Sequence, residues 1–236
     1  RAKRCIEKFC TGRAIMTEIF TYRDPQSGWL KTSFDITNVT TYTAGVDEIL
    51  IHRLTNSESY EFYSVLKSFG LQADHWLRQE KEVLPENHVI ILDIGVITLK
   101  MAAKANIFFL QKFTIFLLEA WPVRLSQIHV VNCPSYTEYL YSLVKGAVPL
   151  ETREIVHFHT DHMALHKYID KKYLPSEYGG DAESMVEQNS YWVKQINHDR
   201  KFYLNDDLWK ADISTKVKNG AVDTTMSGSF RTLAID

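Results

Sequence analysis

The chain has 236 residues, a formal net charge of −2 at pH 7, and 45% hydrophobic and 12% aromatic residues. This composition is typical of a globular protein of one domain, with or without an appendage, whose core needs no disulfide or structural metal. The near-neutral charge argues against nucleic-acid binding, which requires an excess of Lys and Arg to neutralise phosphates. The three cysteines, Cys5, Cys10 and Cys133, have no metal-binding spacing, so we expect free thiols and a cytoplasmic protein.

The first third of the chain predicts helices, a connection and one strand. Residues 1–20 have helix-forming composition up to Tyr22-Arg23-Asp24-Pro25, where the proline sets a boundary. Residues 25–45 are rich in Thr, Ser and Gly and are interpreted as a connection. The elements predicted after it are a strand over 48–54 and helices over 58–69 and 71–83.

From residue 89 onwards, strand and helix patterns alternate. The predicted strands are 89–94, 127–132 and 155–158, and the helices that follow them are 102–120, 134–145 and 161–172. This alternation predicts an α/β fold with a mostly parallel sheet. A polar helix over 183–200 follows, and 211–236 is poor in hydrophobic residues. The apolar stretch 105–118 contains Gln111 and Lys112 and is shorter than the ~20 residues of a membrane span, so it is expected to be a buried helix.

The sequence lacks the motifs of several enzyme classes. Neither G-x-x-x-x-G-K-[ST] nor G-x-G-x-x-G occurs, which disfavours nucleotide chemistry, and Gly228-Ser229 precedes no helix as a nucleophile elbow would. A metal-dependent enzyme stays an alternative, because the histidine-rich segment after 155 could supply ligands from a strand and a helix. Its candidate ligands are His157, His159, His162 and His166, with Asp161. Because the pairs lie on different elements, we favour ordinary structural roles and predict no metal.

An aromatic stripe runs along the predicted helix 102–120. Its members are Phe108, Phe109, Phe113, Phe116, Leu117 and Trp121. Their spacing is that of one helix face, and on periodicity alone it favours a solid core over a ligand cavity.

Three segments in fixed order carry a more specific signal. The first reads Trp-Pro-Val-Arg-Leu-Ser-Gln-Ile-His-Val-Val-Asn-Cys-Pro over 121–134, the second Ile-Val-His-Phe-His over 155–159, and the third Leu-Pro-Ser-Glu-Tyr-Gly-Gly over 174–180. Together they resemble the CRAL-TRIO lipid-binding family. The turn at 23–25 and the closing segment 228–236 are further similar to insect tocopherol-transfer-like members of that family.

The resemblance implies an architecture. Residues 1–24 would be the remnant of an N-terminal helical domain, 25–205 the CRAL-TRIO domain, and 206–236 a C-terminal tail. The sheet would form the floor of an apolar pocket, and a gate helix at about 135–148 would cover it. The face of this gate that is expected to be apolar carries Tyr136, Tyr139, Leu140, Leu143 and Val144.

The resemblance also implies a function and a set of site residues. We expect a carrier without enzymatic activity or cofactor, which binds a hydrophobic small molecule and contacts membranes transiently. By alignment, the pocket should be lined by Leu92, Phe113, Phe116, Leu117, Trp121, Val123, Leu125, Ile128, Tyr139 and Leu143. An adaptor with a vestigial pocket and a phosphoinositide-binding exchanger are the alternatives. The oligomeric state has no signal in the sequence.

Departures from the family pattern bear on the ligand. In the tocopherol carriers a basic cluster on and beside the gate binds phosphoinositide headgroups, but here only Arg124 and Arg153 are basic at matching positions. Each missing cation near an anionic membrane forfeits about 1 kcal/mol of attraction. The family's D-x-x-G is also one residue short, as Asp93-Ile94-Gly95. A neutral ligand such as a tocopherol, retinoid, carotenoid or other isoprenoid is therefore favoured.

Overall fold

The structure is a computed structural model, and it describes residues 2–81 and 83–214. The strands are β1 (Thr37–Ala44), β2 (Asp47–Leu54), β3 (Asn87–Asp93), β4 (Leu125–Val131) and β5 (Val156–Phe158). The α-helices are α1 (Ala2–Ile15), α2 (Thr17–Phe20), α3 (Gly28–Ile36), α4 (Phe62–Arg78), α5 (Leu99–Lys104), α6 (Ile107–Glu119), α7 (Thr137–Lys145), α8 (Leu150–Arg153), α9 (Met185–His198) and α10 (Arg200–Tyr203). Most of the tail predicted for 206–236, including 228–236, lies outside the described residues.

The strands form one sheet in the order β1-β2-β3-β4-β5. β1 pairs antiparallel with β2, and the pairs β2–β3, β3–β4 and β4–β5 are parallel. The connections from β2 to β3, from β3 to β4 and from β4 to β5 each join neighbouring parallel strands. Such connections are right-handed, so their helices α4, α6 and α7 lie on the same face of the sheet. The predicted α/β fold with a mostly parallel sheet is confirmed.

The opposite face of the sheet is covered by the segment after β5. Ile51, Ile91 and Val131 pack there against Leu165 and Leu174. The helix predicted over 161–172 is wrong, because this segment forms short 3-10 helices at His162–Lys167, Lys171–Tyr173 and Ser176–Tyr178. Two aspartates start separate turns in this segment, since the side chains of Asp161 and Asp170 accept from the backbone N–H groups of Met163 and Lys172. At Gly180 a Cβ atom would collide with the carbonyl group of Leu174, so this close approach requires glycine.

The N-terminal helices pack on α6 through aromatic rings. The ring of Phe116 is fully buried, and its centroid lies 5.8 Å from that of Phe9 and 5.5 Å from that of Phe20. Gly12 allows the contact, since a Cβ there would lie 2.5 Å from a carbon of the Phe116 ring. α1 therefore contributes to the same core as α6.

A buried charge cluster links the same helices to α4. The Arg13 guanidinium donates to both carboxylate oxygens of Asp74 at 2.7 and 2.9 Å, and Arg23 donates to one of them at 2.6 Å. All three side chains are at most 1% exposed. Burial lowers the pKa of Arg13, although its pairing with Asp74 raises it.

Residues 25–45 form α3 and β1, so their interpretation as a connection is wrong. Leu30 and Phe34 are buried at the i, i+4 spacing of a helix face, and the β-branched residues of 37–41 favour a strand. β1 is the edge of the sheet, and α9 covers that edge. The backbone N–H groups of Val39 and Thr41 donate to the side-chain oxygens of Asn189 and Gln188.

Two helix boundaries also differ from prediction. α4 is one helix that continues through Gly70, where prediction placed a break between two helices. The predicted helix 102–120 is instead divided into α5 and α6 at Asn106, whose side chain caps α6 by accepting from the N–H of Phe109.

Candidate functional site

The sheet face beneath α4, α6 and α7 carries rows of apolar side chains. Strand register places Val39, His52, Leu92, Val130 and Phe158 in one row across all five strands. The adjacent row contains Thr41, Leu50, Ile90, Ile128 and Val156. We call these two rows the floor.

The floor is incompletely covered. Ile90 and Leu92 belong to the interior strand β3, yet both are only half-buried although helices lie over their face. Protein interiors are close-packed, so half-buried hydrocarbon on an interior strand borders space that protein atoms do not fill. We call this space, between the floor and helices α6 and α7, the apolar groove.

α7 covers the β5 side of the groove and has no fully buried residue. The ring of Tyr141 lies edge-on to Phe158 of the floor, with centroids 5.0 Å apart. On the α6 side, the amide of Gln111 donates to the carbonyl of Leu143 at 2.7 Å. An element held by few contacts with little buried area has a low free energy of local opening. This is the property that a gate over the groove requires.

The two predicted membrane-surface arginines lie before neighbouring parallel strands, Arg124 before β4 and Arg153 before β5. Arg153 is engaged with the end of α7, where its guanidinium donates to the carbonyls of Val148 and Lys145 at 2.9 and 2.8 Å. A cation in this position also interacts favourably with the helix dipole. Arg124 is exposed. The two side chains therefore have different environments.

The ten predicted lining residues divide by burial. The half-buried ones are Leu92, Leu117, Trp121, Val123, Leu125 and Leu143, the buried ones are Phe113, Phe116 and Ile128, and Tyr139 is 56% exposed. Phe116 packs against Phe9 and Phe20 from the N-terminal helices, and Phe113 packs against Phe69 of α4. These buried rings form the wall behind the groove.

The candidate metal-ligating histidines lie on the opposite side of the sheet, in separate environments. The rings of His157 and His159 pack against Tyr168, whereas His162 bonds to Asn132 and His166 to the carbonyl of Tyr178. Within 2–81 and 83–214, no group of three or more His, Cys, Asp or Glu side chains is arranged to hold a metal ion.

Sequence reasoning did not identify one polar member of the floor. His52 is half-buried on β2, and its Nε2 is shielded from solvent without a hydrogen-bond partner in the described part of the chain. The available signal was the strand alternation of 48–54, which places His52 on the same side as Leu50 and Leu54.

Among the helices that the structure describes, none is both long and apolar enough to cross a bilayer.

Part of the chain is similar in sequence to the clavesins. The chain is 29% identical over 122 residues to Clavesin-2 of Rattus norvegicus, covering 51% of this chain and 37% of that protein. It is 30% identical over 120 residues to Clavesin-1 of Mus musculus, covering 50% and 34%. The chain thus spans about a third of the length of these relatives. The crystal structure of Sfh5 aligns with a TM-score of 0.48 and 17% identity over 80% of this chain and 70% of that one.

The family resemblance found in the three sequence segments is confirmed by a family profile. The profile of the CRAL/TRIO domain matches residues 48–180, which extend from β2 through the 3-10 helices and include every strand that borders the groove except β1. The chain belongs to the CRAL/TRIO domain family, whose domains bind lipophilic ligands.

Proposed function

We propose that this protein binds one neutral hydrophobic molecule in the apolar groove and transfers it between membranes, without covalent chemistry. The observation that carries the proposal is the half-buried hydrocarbon of Ile90 and Leu92 on an interior strand beneath helices. Membership of a family of lipophilic-ligand-binding domains supports it.

The physical chemistry of transfer follows from the groove. Transfer of a CH₂ group from an apolar site to water costs about 0.8 kcal/mol, so a ligand with fifteen or more carbons does not escape into water. At a membrane this cost disappears, because the ligand moves between two apolar environments. α7 must therefore open at a membrane and close in water, and its loose attachment suits that cycle.

We assign the contacts by burial. Leu92, Leu117, Trp121, Val123, Leu125 and Leu143 are half-buried and contact the ligand, the buried Phe113 and Phe116 shape the wall, and the buried Ile128 belongs to the floor. Tyr139 lies on the outer face of α7 and meets the membrane transiently. These roles rest on position and exposure.

The surface charge favours a neutral ligand over a phosphoinositide. Of the two predicted cationic residues, Arg153 is bonded to the end of α7, which leaves the exposed Arg124 to attract an anionic headgroup. A tocopherol, retinoid, carotenoid or other isoprenoid fits this charge pattern. The similarity of the turn at 23–25 to insect tocopherol-transfer-like proteins supports the same class. None of the three cysteines forms a disulfide within the described residues, which supports action in the cytoplasm.

The test is lipid extraction from vesicles. The protein is incubated with phosphatidylcholine vesicles that contain α-tocopherol, retinol, β-carotene, cholesterol and phosphatidylinositol 4,5-bisphosphate. It is then re-isolated and examined by native mass spectrometry and organic extraction. We expect one neutral adduct per chain. An empty protein would favour the adaptor alternative, and uptake of the phosphoinositide alone would overturn the neutral-ligand proposal.

A groove-filling variant locates the ligand. Leu92→Trp places an indole on the floor and should reduce uptake at least tenfold. Val46→Trp, at a 57% exposed position in the β1–β2 turn, is the matched control and should take up lipid normally. Equal uptake by both folded variants would show that the ligand binds elsewhere.

A further inference from the structure

The floor row from Val39 to Phe158 has two unlike ends. Phe158 lies on the short strand β5 beneath Tyr141 of α7, which is the side that a gate would open. At the other end, the ring of His52 lies edge-on to Phe69 of α4, with centroids 5.0 Å apart. α4 is a 17-residue helix with many buried side chains, so this end of the groove is closed.

His52 is the polar exception in this row, since the other four members are hydrocarbon or aromatic. Val39 on one side is fully buried, whereas Leu92 on the other is half-buried and borders the groove. His52 is itself half-buried, and because β2 is an interior strand, its exposed part opens to the same space as Leu92.

The Nε2 atom of His52 has no hydrogen-bond partner among the residues described. A buried polar group without a partner loses its hydrogen bonds to water and gains none in return, so such groups are uncommon and require an explanation. Among the residues described, other unpartnered side-chain atoms belong to Arg23, Asn38, Thr40, Gln72 and His88, and all five of these residues are buried. His52 differs from them because it is half-buried and lies beside Leu92 in the floor row.

The imidazole of His52 is uncharged at neutral pH. Burial lowers the pKa of His52 and the carboxylate of Asp93 offsets part of this effect, which leaves the pKa at about 4. A neutral imidazole has one N–H donor and one acceptor nitrogen, which match a hydroxyl or carbonyl group. An anionic headgroup would instead require a cation at this position.

We propose that His52 hydrogen-bonds the single hydroxyl or carbonyl group of the ligand at the closed end of the groove. This inference rests on the proposed function and specifies it. The ligand is then oriented with its polar end beneath α4 and its hydrocarbon beneath α7. Opening of α7 would expose hydrocarbon to the membrane first, and the hydrogen bond would be the last contact to break.

The test measures selectivity between paired ligands. Vesicles contain equal amounts of an alcohol and the hydrocarbon in which CH₃ replaces CH₂OH, or H replaces OH. The pairs are retinol with axerophthene, dihydrophytol with phytane, and cholestanol with cholestane. The readout is the ratio of alcohol to hydrocarbon that each variant extracts. A lower folded fraction reduces the uptake of both lipids equally and leaves this ratio unchanged.

We expect His52→Leu to lower this ratio fivefold to tenfold for the skeleton that the protein accepts, and His52→Gln to restore part of it. The matched control is His75→Leu, because His75 is a buried histidine of α4 whose ring packs on Trp192 instead of the floor. That variant should keep the wild-type ratio.

The outcomes separate this inference from the proposed function. If the wild type extracts these lipids and His52→Leu keeps the same ratio, His52 bonds no ligand group and the inference is wrong while the carrier function stands. If the wild type extracts no member of any pair, the proposal of a neutral-ligand carrier fails, and the inference fails with it.

Discussion

At the scale of single residues, the face of the sheet opposite the groove contains a cluster of three histidines. The ring centroid of His129 lies 5.2 Å from that of His157 and 5.3 Å from that of His159, and Tyr168 packs on all three rings. One ring nitrogen of His129 is hydrogen-bonded to His159 and the other to Gln127. Burial, together with the neighbouring imidazoles of His159 and His157, lowers the pKa of His129 to about 4.

This cluster predicts that the protein loses stability in mild acid. Because the folded-state pKa of His129 lies below the ordinary value of about 6.5, the unfolded chain binds more protons between these two values. The free energy of unfolding is therefore undiminished above about pH 6.5 and falls as the pH drops towards 4, by about 2 kcal/mol at pH 5 for this one residue. Urea denaturation from pH 7.5 to 4.5 measures the fall.

The variant His129→Gln should flatten this pH dependence. The matched control is His198→Gln, which changes an imidazole that is 80% exposed and should leave the slope as in the wild type. Equal slopes for the two variants and the wild type would show that His129 titrates normally and that the decrease has another origin. His52 lies on the other face and contributes its own share in all three proteins.

At the scale of elements, the sequence predicts those strands and helices that follow from the hydrophobic pattern. It does not predict those whose course depends on tertiary contacts. The apolar β-branched run of β3 and the alternation that follows it were sufficient for the parallel sheet. The segment 161–172 has helical composition, but its path is set by buried contacts of Leu165 and Ile169 with the sheet. Gly70 does not interrupt α4, because buried residues on both sides of it, such as Val65 and Leu71, hold the helix against the core.

In the candidate site, too, the sequence predicted the elements but not which residues border the groove. The motif segments located the sheet and α7, and Leu92 and Leu143 followed by alignment. Sequence alone could not separate them from Phe116, because an apolar residue has the same pattern beside a groove and inside a core. His52 was missed because its significance depends on an unpartnered nitrogen, which only coordinates reveal.

The attachment of α7 predicts how fast the ligand exchanges. Arg153→Met removes two hydrogen bonds to the carbonyls of Lys145 and Val148, each worth about 1 kcal/mol. A looser gate should raise the rate of retinol transfer from the protein to neutral phosphatidylcholine vesicles about fivefold to tenfold. Stopped-flow fluorescence of the retinol measures this rate.

Arg124→Met is the matched control for charge, because Arg124 is exposed and precedes the neighbouring strand. It should leave transfer to neutral vesicles unchanged and weaken binding to anionic vesicles about fivefold, as expected for one cation near a charged surface. If the two variants behave alike on neutral vesicles, Arg153 does not hold the gate, and its role is electrostatic.

At the scale of the whole molecule, the N-terminal helices and the CRAL/TRIO domain share one core. Phe9 and Phe20 enclose Phe116 of α6, and Arg13 is joined to Asp74 of α4 by two buried hydrogen bonds. α6 thus has one side in the core and another towards the groove. The proposed carrier function requires this separation, because the protein must stay folded when the groove is empty.

The separation predicts opposite effects for two truncations. Phe116→Ala removes a fully buried ring from the shared core and should cost about 3–5 kcal/mol of unfolding free energy, while the folded fraction keeps its affinity for retinol. Leu92→Ala removes hydrocarbon from the floor, where the side chain is already half-buried, and should cost about 1 kcal/mol of stability but weaken retinol binding about tenfold. Urea denaturation and fluorescence titration measure the two quantities on each variant. If Phe116→Ala weakened binding as much as Leu92→Ala at equal folded fraction, the ring of Phe116 would itself contact the ligand, and the groove would extend into the core that α1 encloses.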